Sequence, residues 1–350
     1  MSVSSDAPMA PSAGPAPSPS GSSAGGGVAR AWRVVTQGRW PILQVVLLVA
    51  LFLFGSATID GYNGEPSIRS MLVLASLLGI AALGQTLVVL LGGFDLSVPF
   101  IIGAANVMCA ELTGGHGWPF AAAFALIGGL ALLVGALNGW VSHRFGVHPL
   151  IVSLATGSMV AGGVLAWTKA KLTGAAPAFL SDFVSPGRDF GPIPVPGVVL
   201  FWIVLAAVVL VITLRTTVGR RLYATGANPR AARLSLISTS RVWTGTFAAS
   251  AFFSAVAGTL LVGFSGTGLF NIGDPYLFTS IASVVIGGTS LLGARGDYLR
   301  TVLGALILIQ TTTILIGRGY DAPTQQVILG VLIVIFVATY ARESHIRTRI

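Results

Sequence analysis

Long apolar runs separated by short polar links make up almost the whole chain after about residue 40. The runs stay apolar throughout, and several approach the ~20 residues that an α-helix needs to cross a ~30 Å hydrocarbon layer. A membrane-spanning strand would instead alternate apolar and polar residues. Because the backbone must satisfy its own hydrogen bonds in lipid, the pattern predicts an all-α, polytopic integral membrane helical bundle.

The polar links divide the runs into ten predicted transmembrane helices. Two glycine-rich segments, around 92–97 and 287–293, interrupt the runs, and the number of spans falls to eight if both segments are re-entrant. The predicted spans are 41–57, 68–91, 98–112, 118–141, 150–168, 198–214, 243–264, 276–292, 299–316 and 325–340.

The composition supports a membrane protein. Only 9% of the residues are charged and 54% are hydrophobic, whereas soluble domains carry about 25% charged residues. The net charge of +9 could suggest nucleic acid, but the basic residues lie in short links between apolar runs, which is typical of membrane topology. The single cysteine, Cys109, lies in an apolar run and excludes both a disulfide within the chain and a cysteine-based metal site.

The chain is predicted to have three parts. Residues 1–39, rich in Ser, Ala, Pro and Gly at their start, form a disordered cytoplasmic tail; residues 40–341 form the transmembrane domain, with a cytoplasmic loop at 215–242; residues 342–350 form a second cytoplasmic tail. An even number of spans places both termini on one side. That side receives fifteen of the twenty Lys and Arg residues, while the other receives seven of the eleven acids. Because basic loops resist translocation, the arginine-rich side is predicted to be cytoplasmic.

Several kinds of chemistry have no residues to support them. The chain has no Gly-x4-Gly-Lys-Ser/Thr phosphate loop, so any ATP and magnesium would bind to a partner. Its four histidines are scattered over links and the tail, and they suggest neither a metal site nor a catalytic constellation. Few acids lie within the spans, which disfavours a proton-coupled carrier.

The segment Gly92-Gly93-Phe94-Asp95-Leu96-Ser97 places an acid at a break between two spans. An ionised carboxylate near bilayer depth is costly unless it is paired or hydrated. Three interpretations stay open for Asp95: a helix cap or buried network, direct contact with a solute, and a gating contact at the cytoplasmic side.

The segment from Ser283 to Gly293 repeats the pattern of an apolar run, a Gly-Gly pair and a short polar turn. Polar groups within the spans could together hydrogen-bond a polar solute, although each could also bond a neighbouring helix. The predicted solute pathway consists of Gln85, Asp95, Ser97, Asn106, Asn138, Gly287, Gly288 and Thr289.

The stretch from Arg215 to Arg241 contains six arginines and no acid. Asn228 is suited to cap a short helix that begins at Pro229 and runs to about residue 237. This helix is predicted to dock on a partner's groove; a plain solvated basic loop that maintains topology is the alternative. The predicted docking residues are Asn228, Pro229, Arg230, Ala231, Ala232, Arg233, Leu234 and Ser235.

Three segments occur in an order that resembles permease subunits of ribose-type bacterial ABC importers. They are Gly-Gly-Phe-Asp-Leu-Ser at 92–97, Gly-Ala-Asn-Pro-Arg-Ala-Ala-Arg-Leu-Ser at 226–235 and Val-Val-Ile-Gly-Gly-Thr-Ser-Leu-Leu-Gly at 284–293. The resemblance covers residues 40–340. Two positions depart from the family pattern: Arg230 stands where the family often has Glu, and Pro99 stands where it usually has Gly.

The resemblance implies import of a monosaccharide across the bacterial inner membrane. The implied partners are a cytoplasmic ATP-binding subunit, an extracytoplasmic sugar-binding protein, a second permease copy (identical or paralogous) and membrane lipid. A branched-chain amino acid, a nucleoside or an autoinducer is an alternative solute, and a stand-alone carrier or channel is an alternative class.

Overall fold

The structure is a computed structural model that describes residues 41–341, with side chains described up to residue 335. The tails predicted at 1–39 and 342–350 lie outside these residues. The described residues form helices and no strand apart from two isolated bridges. The helices are α1 Ile42–Thr58, α2 Glu65–Leu90, α3 Val98–Ala110, α4 Phe120–Phe145, α5 Pro149–Thr168, α6 Ala178–Val184, α7 Gly197–Arg215, α8 Thr217–Ala227, α9 Pro229–Leu234, α10 Thr239–Ser265, α11 Tyr276–Ile286, α12 Tyr298–Gly317 and α13 Ala322–Ala341.

Within residues 41–341, an apolar helix lies at each of the ten predicted positions. Seven of these elements are long and apolar enough to cross a membrane, counting α3 together with the π-helical turn at Glu111–Gly115. The apolar helices at Ile42–Thr58, Phe270–Ile286 and Ala322–Ile335 are shorter. The prediction of an all-α polytopic bundle is therefore confirmed.

Two of the ten α-helices are short, although the π-helical turn extends the first of them, α3. Helix α3 has 13 residues, and α11 has 11, although an apolar run up to residue 292 led us to predict a longer eighth span. That prediction was wrong at its C-terminal end. Helix α11 ends at Ile286 because Gly288 adopts a positive φ of 87°, which directs the chain out of the helix.

Helices α2 and α10 form the centre of the bundle, where most of their residues are buried. They cross closely because a Cβ at Gly84 would overlap the backbone of Ser250, and α10 meets α4 in the same way at Gly135 and Phe247. Small residues at such crossings let helix backbones approach in lipid. Helices α4, α5 and α7 expose large apolar side chains on their outer faces, which suits contact with acyl chains.

The bundle has two ends of opposite character. We call one the arginine-rich end. Its basic residues are Arg144, Arg215, Arg220, Arg221, Arg230, Arg233, Arg241, Arg295 and Arg300. Two hydrogen bonds connect distant segments at this end, one between Thr239 and His143 (2.9 Å) and one from the amide of Ala294 to the carbonyl of Leu90. The opposite end has fewer basic than acidic residues. They are Arg69, Lys169, Lys171, Arg188 and Arg318 with Asp60, Glu65, Glu111, Asp182, Asp189 and Asp321. The seventh acid that the sequence assigns to this end is Asp274, an exposed residue that follows Gly273, whose backbone packs on Pro99 in the first turn of α3.

Candidate functional site at the arginine-rich end

The basic segment after α7 folds as two short helices. Thr216 begins α8 by accepting a hydrogen bond from the Val218 amide at 3.2 Å. Asn228 then caps α9: its Oδ1 accepts from the amides of Arg230 and Ala231 at 3.0 and 3.1 Å. The predicted Asn-Pro helix start is therefore present, with Pro229 in the first turn, where its missing N–H costs no hydrogen bond.

The end of this helix differs from the prediction. Helix α9 stops at Leu234 rather than near residue 237, and Leu236 has a positive φ of 59°. Ala232 is buried, whereas Leu234 and Leu236 are 86% and 95% exposed. Ala232 therefore faces the protein, while both leucines project outward.

The projecting tip combines these two leucines with exposed Arg230 and Arg233. No acid occurs between Arg215 and Arg241 to neutralise the arginines. Burial of each exposed leucine side chain against a partner would contribute ~1.5–3 kcal/mol to the free energy of binding. The tip therefore has the composition of a surface that a partner covers.

Helix α8 is fixed tightly to the bundle. A Cβ at Gly219 would overlap the Thr213 backbone, and one at Gly226 would overlap the Leu90 carbonyl. The Tyr223 hydroxyl donates to the carbonyl of Gly296 at 2.8 Å. Burial, with help from the nearby Asp297 charge, raises the pKa of Tyr223 to about 12, so the hydroxyl keeps its proton at neutral pH.

The two glycine-rich segments meet beneath this helix. The amide of Ala294 donates to the Leu90 carbonyl at 2.9 Å, and Gly293 packs against Gly92 and Gly226. Positive φ values of 80° at Gly92 and 85° at Gly293 shape the contact. The three segments that carry the family resemblance therefore converge at one place, with Gly226 in the middle.

Asp95 and Ser97 lie in a buried hydrogen-bond network. The Asp95 carboxylate accepts from the amide (2.9 Å) and the hydroxyl of Ser97. Asn138 Nδ2 donates to the Ser97 hydroxyl at 3.2 Å, and the Thr156 hydroxyl donates to Asn138 Oδ1 at 2.6 Å. The Leu96 amide donates to Ser153 at 2.9 Å. The network joins the 92–97 segment to α4 and α5, which is the buried-network interpretation of Asp95.

The other predicted pathway residues lie apart from this network. Gln85 is fully buried on α2. Asn106 joins two elements, donating to the carbonyl of Gly258 at 3.3 Å and accepting from the Leu269 amide at 2.8 Å. In the 287–293 turn, Gly287 accepts from Gln44 at 2.9 Å, Gly288 is partly exposed, and Thr289 is 3% exposed. None of the eight residues lines the cavity that α3 and α5 form with Phe270, Asn271 and Asp274.

Sequence reasoning missed two residues that hold the arginine-rich end together. Gln44 lies in an apolar run near the start of α1 and bonds the end of α11. Tyr223 lies among the arginines and bonds the second glycine-rich turn. A lone polar residue in an apolar span was the available signal for Gln44; Tyr223 gave none beyond its residue type.

These features define a class: a multi-pass helical membrane protein with broken helices in its bundle and a basic, partly apolar element outside it, which is the architecture of a transport permease. The family described as branched-chain amino acid transport system / permease component matches residues 67–337. The chain belongs to this family.

Similar proteins of known role support the same class. The chain is 30% identical over 299 residues to the fructose import permease protein of Rhizobium meliloti, covering 84% of this chain and 83% of that protein. It is 31% identical over 321 residues to the ribose import permease protein of Bacillus subtilis, covering 89% and 94%. It is 30% identical over 297 residues to the D-allose transport system permease protein of Escherichia coli, covering 84% and 89%. No solved structure is a significant match to the chain.

Proposed function

We propose that this chain is the permease subunit of a bacterial importer that moves a monosaccharide inward with energy from a separate ATP-binding subunit. Support for the solute comes from relatives whose names specify fructose, ribose and allose. Other relatives are named for autoinducer 2, and the family description names branched-chain amino acids. The choice of a monosaccharide rests on these relatives, because their names specify three different sugars.

The observation that carries the energy coupling is the projecting tip of α8 and α9. Its exposed leucines and unneutralised arginines suit the groove of a cytoplasmic ATP-binding subunit that provides acidic and apolar side chains. ATP and magnesium would bind to that subunit. A second permease copy and an extracytoplasmic sugar-binding protein complete the proposed importer, the latter docking at the opposite end of the bundle.

Movement of the tip would reach the spans through direct contacts. Helix α8 touches Leu90 through Gly226 and touches Gly296 through Tyr223. A displacement of α8 therefore acts at once on the end of α2 and on the turn between α11 and α12. We infer that closure of the ATP-binding subunits shifts the population from inward-facing to outward-facing spans through these contacts.

The docking proposal is tested with the double variant Arg233→Glu, Leu234→Asp, co-expressed with the ATP-binding subunit of the same importer. The variant reverses one charge and removes one apolar anchor, so the subunit should no longer co-purify while the permease still inserts. The matched control, Arg188→Glu with Phe190→Asp, makes the same changes at the opposite end, where both side chains are exposed. Normal assembly of the first variant would contradict the docking surface.

The stand-alone carrier has its own test. Purified permease in liposomes, without the ATP-binding subunit, should show no sugar uptake beyond that of empty liposomes. Uptake at a rate comparable to that of the complete importer would show that the chain works as a stand-alone carrier.

A further inference from the structure

The segment between α10 and α11 does not stay at the surface but runs back into the bundle beside α3. Gly268 packs against Ala110 at the far end of α3. The Leu269 amide then bonds Asn106 at 2.8 Å. Further along, the carbonyl of Phe270 packs on Gly103, and Gly273 packs on the carbonyl of Pro99. The segment therefore follows α3 from its last residue back to its first turn.

This course places residues 271–274 near the middle of the bundle. Helix α3 has 13 residues and is about 20 Å long at ~1.5 Å per residue, and the segment returns along that whole length. Helix α11 then needs 11 residues, or about 16 Å, to reach the arginine-rich end. Asp274 thus lies roughly half-way between the two ends, deep within a ~30 Å hydrocarbon layer.

A cavity of about 350 Å³ opens at this depth between α3, α5 and the returning segment. The side chains of Asn271 and Asp274 supply its polar groups, and Phe100 and Phe270 supply aromatic walls. Both polar residues are exposed, and neither side chain makes a hydrogen bond to another group in residues 41–335. No Lys or Arg lines the cavity.

An exposed carboxylate at this depth cannot face acyl chains without a cost of several kcal/mol, so it must face water or a polar solute. The cavity volume falls within the ~300–1,000 Å³ typical of small-molecule sites. We propose that this cavity is a solute-contact site on the transport path and that it takes a neutral polyhydroxyl solute of monosaccharide size. This proposal rests on the function proposed above and names residues for it.

The chemistry of the lining selects this class of solute. The Asp274 carboxylate accepts hydrogen bonds from hydroxyl groups, and the Asn271 amide both donates and accepts. The rings of Phe100 and Phe270 provide apolar surface for the C–H face of a sugar. A solute with a free carboxylate would meet the negative charge of Asp274 with no basic side chain to balance it, which disfavours amino acids.

The first test asks whether the cavity holds water. Asn271→Cys and Asp274→Cys, each in a Cys109→Ala background, are treated in membranes with a charged, membrane-impermeant methanethiosulfonate. Because only the thiolate reacts, both should react at least ~10-fold faster than the control Leu133→Cys, whose parent side chain is 66% exposed on the outer face of α4. D-ribose, D-fructose or D-allose should slow the reaction. Rates as low as that of the control would overturn the site whatever the transport activity.

The second test measures uptake of radiolabelled D-ribose, D-fructose, D-allose and L-leucine by the assembled importer in proteoliposomes. Loss of hydrogen bonds to a charged acceptor should reduce sugar uptake by Asp274→Asn at least ~10-fold, while the control Asp60→Asn keeps the wild-type rate. ATP hydrolysis stimulated by the sugar-binding protein should stay within ~2-fold of wild type, because the docking end is unchanged. Wild-type sugar uptake by Asp274→Asn would overturn the site and leave the proposed function standing. A wild-type importer that moves leucine and no sugar would overturn both.

Discussion

Gly226 is a residue at which the basic segment packs directly on the backbone of the bundle. It lies in the last turn of α8, with no room for a side chain between its backbone and the Leu90 carbonyl. In the sequence, Gly226 is only a glycine that precedes an Asn-Pro helix start. A glycine is needed at this position because of a contact between residues far apart in the chain. Such a reason cannot be obtained from local sequence, because the partner is defined by packing.

We expect Gly226→Val to weaken the coupling between α8 and the bundle. The added side chain must displace the Leu90 carbonyl and the Ala294 amide bonded to it, and overpacking of this kind costs ~1–3 kcal/mol. The unfolding midpoint of the purified permease should fall, and sugar-stimulated ATP hydrolysis of the importer should decrease. Gly245→Val is the matched control, because a Cβ at Gly245 on α10 meets nothing within 4 Å. Equal behaviour of the two variants would contradict this role of Gly226.

Tyr298 joins three helices through one hydroxyl group. It accepts from Trp202 Nε1 at 2.9 Å and donates to the Gly79 carbonyl at 2.7 Å. Tyr298→Phe leaves the buried Trp202 Nε1–H without an acceptor and should lower the free energy of unfolding by ~1–3 kcal/mol. Unfolding in mixed detergent micelles, followed by tryptophan fluorescence, measures the change. Tyr320→Phe, at a side chain that is 48% exposed, should leave the free energy of unfolding unchanged. An equally small effect at both positions would show that the Tyr298 hydroxyl does not stabilise the contact between the three helices.

Helix positions follow from the sequence because apolar runs of about 20 residues and polar links directly reflect the bilayer. The ends of helices can be predicted from the sequence only where a residue type determines them, as Asn228 and Pro229 determine the start of α9. The end of α11 was missed because residues 287–292 are apolar enough to continue a span, and the break depends on the positive φ of Gly288. Apolar composition alone does not distinguish a helix that crosses the whole membrane from one that crosses only part of it.

The π-helical turn after α3 is held by a loop that no local pattern would connect to it. Glu111 accepts from the amides of Thr173 and Gly174 at 2.6 and 2.8 Å and from the Thr173 hydroxyl at 3.2 Å. Glu111→Ala removes both acceptor oxygens, so the Thr173 and Gly174 amides lose the Oε1 atom to which both donate. The element that it fixes, the loop after α5, should therefore loosen.

Hydrogen–deuterium exchange measures this loosening. The amides of Thr173 and Gly174 should exchange at least ~10-fold faster in Glu111→Ala, which corresponds to ~1.4 kcal/mol of lost protection. The control Glu65→Ala changes a 75% exposed carboxylate that pairs with Arg69 and should leave these two amides unaffected. Unchanged exchange in Glu111→Ala would show that the loop is held by other contacts.

At the scale of the whole molecule, the sequence provided three motifs and the structure brought them together. The 92–97, 226–235 and 284–293 segments are separated by 48 residues or more along the chain, yet they meet around Leu90, Gly226 and Gly293. Asp274 is the opposite case. The sequence counts it among the outer acids, but it follows a segment that Gly103 and Gly273 allow to run back along α3. Neither arrangement follows from periodicity, since both depend on which backbones approach one another.

The distribution of charge between the two ends is the whole-molecule feature that was predicted and still needs a direct test. Short basic loops resist translocation, so the arginine-rich end should face the cytoplasm, together with both termini. Ser235→Cys and Lys171→Cys, each in a Cys109→Ala background and expressed without partner subunits, report on the two ends because both parent residues are exposed. In intact cells, an impermeant thiol reagent should label position 171 only, and position 235 should become reactive after the membrane is permeabilised. Labelling in the reverse order would show that the arginine-rich end faces away from the cytoplasm. The tip of α8 and α9 would then lie on the side of the membrane that no cytoplasmic ATP-binding subunit can reach.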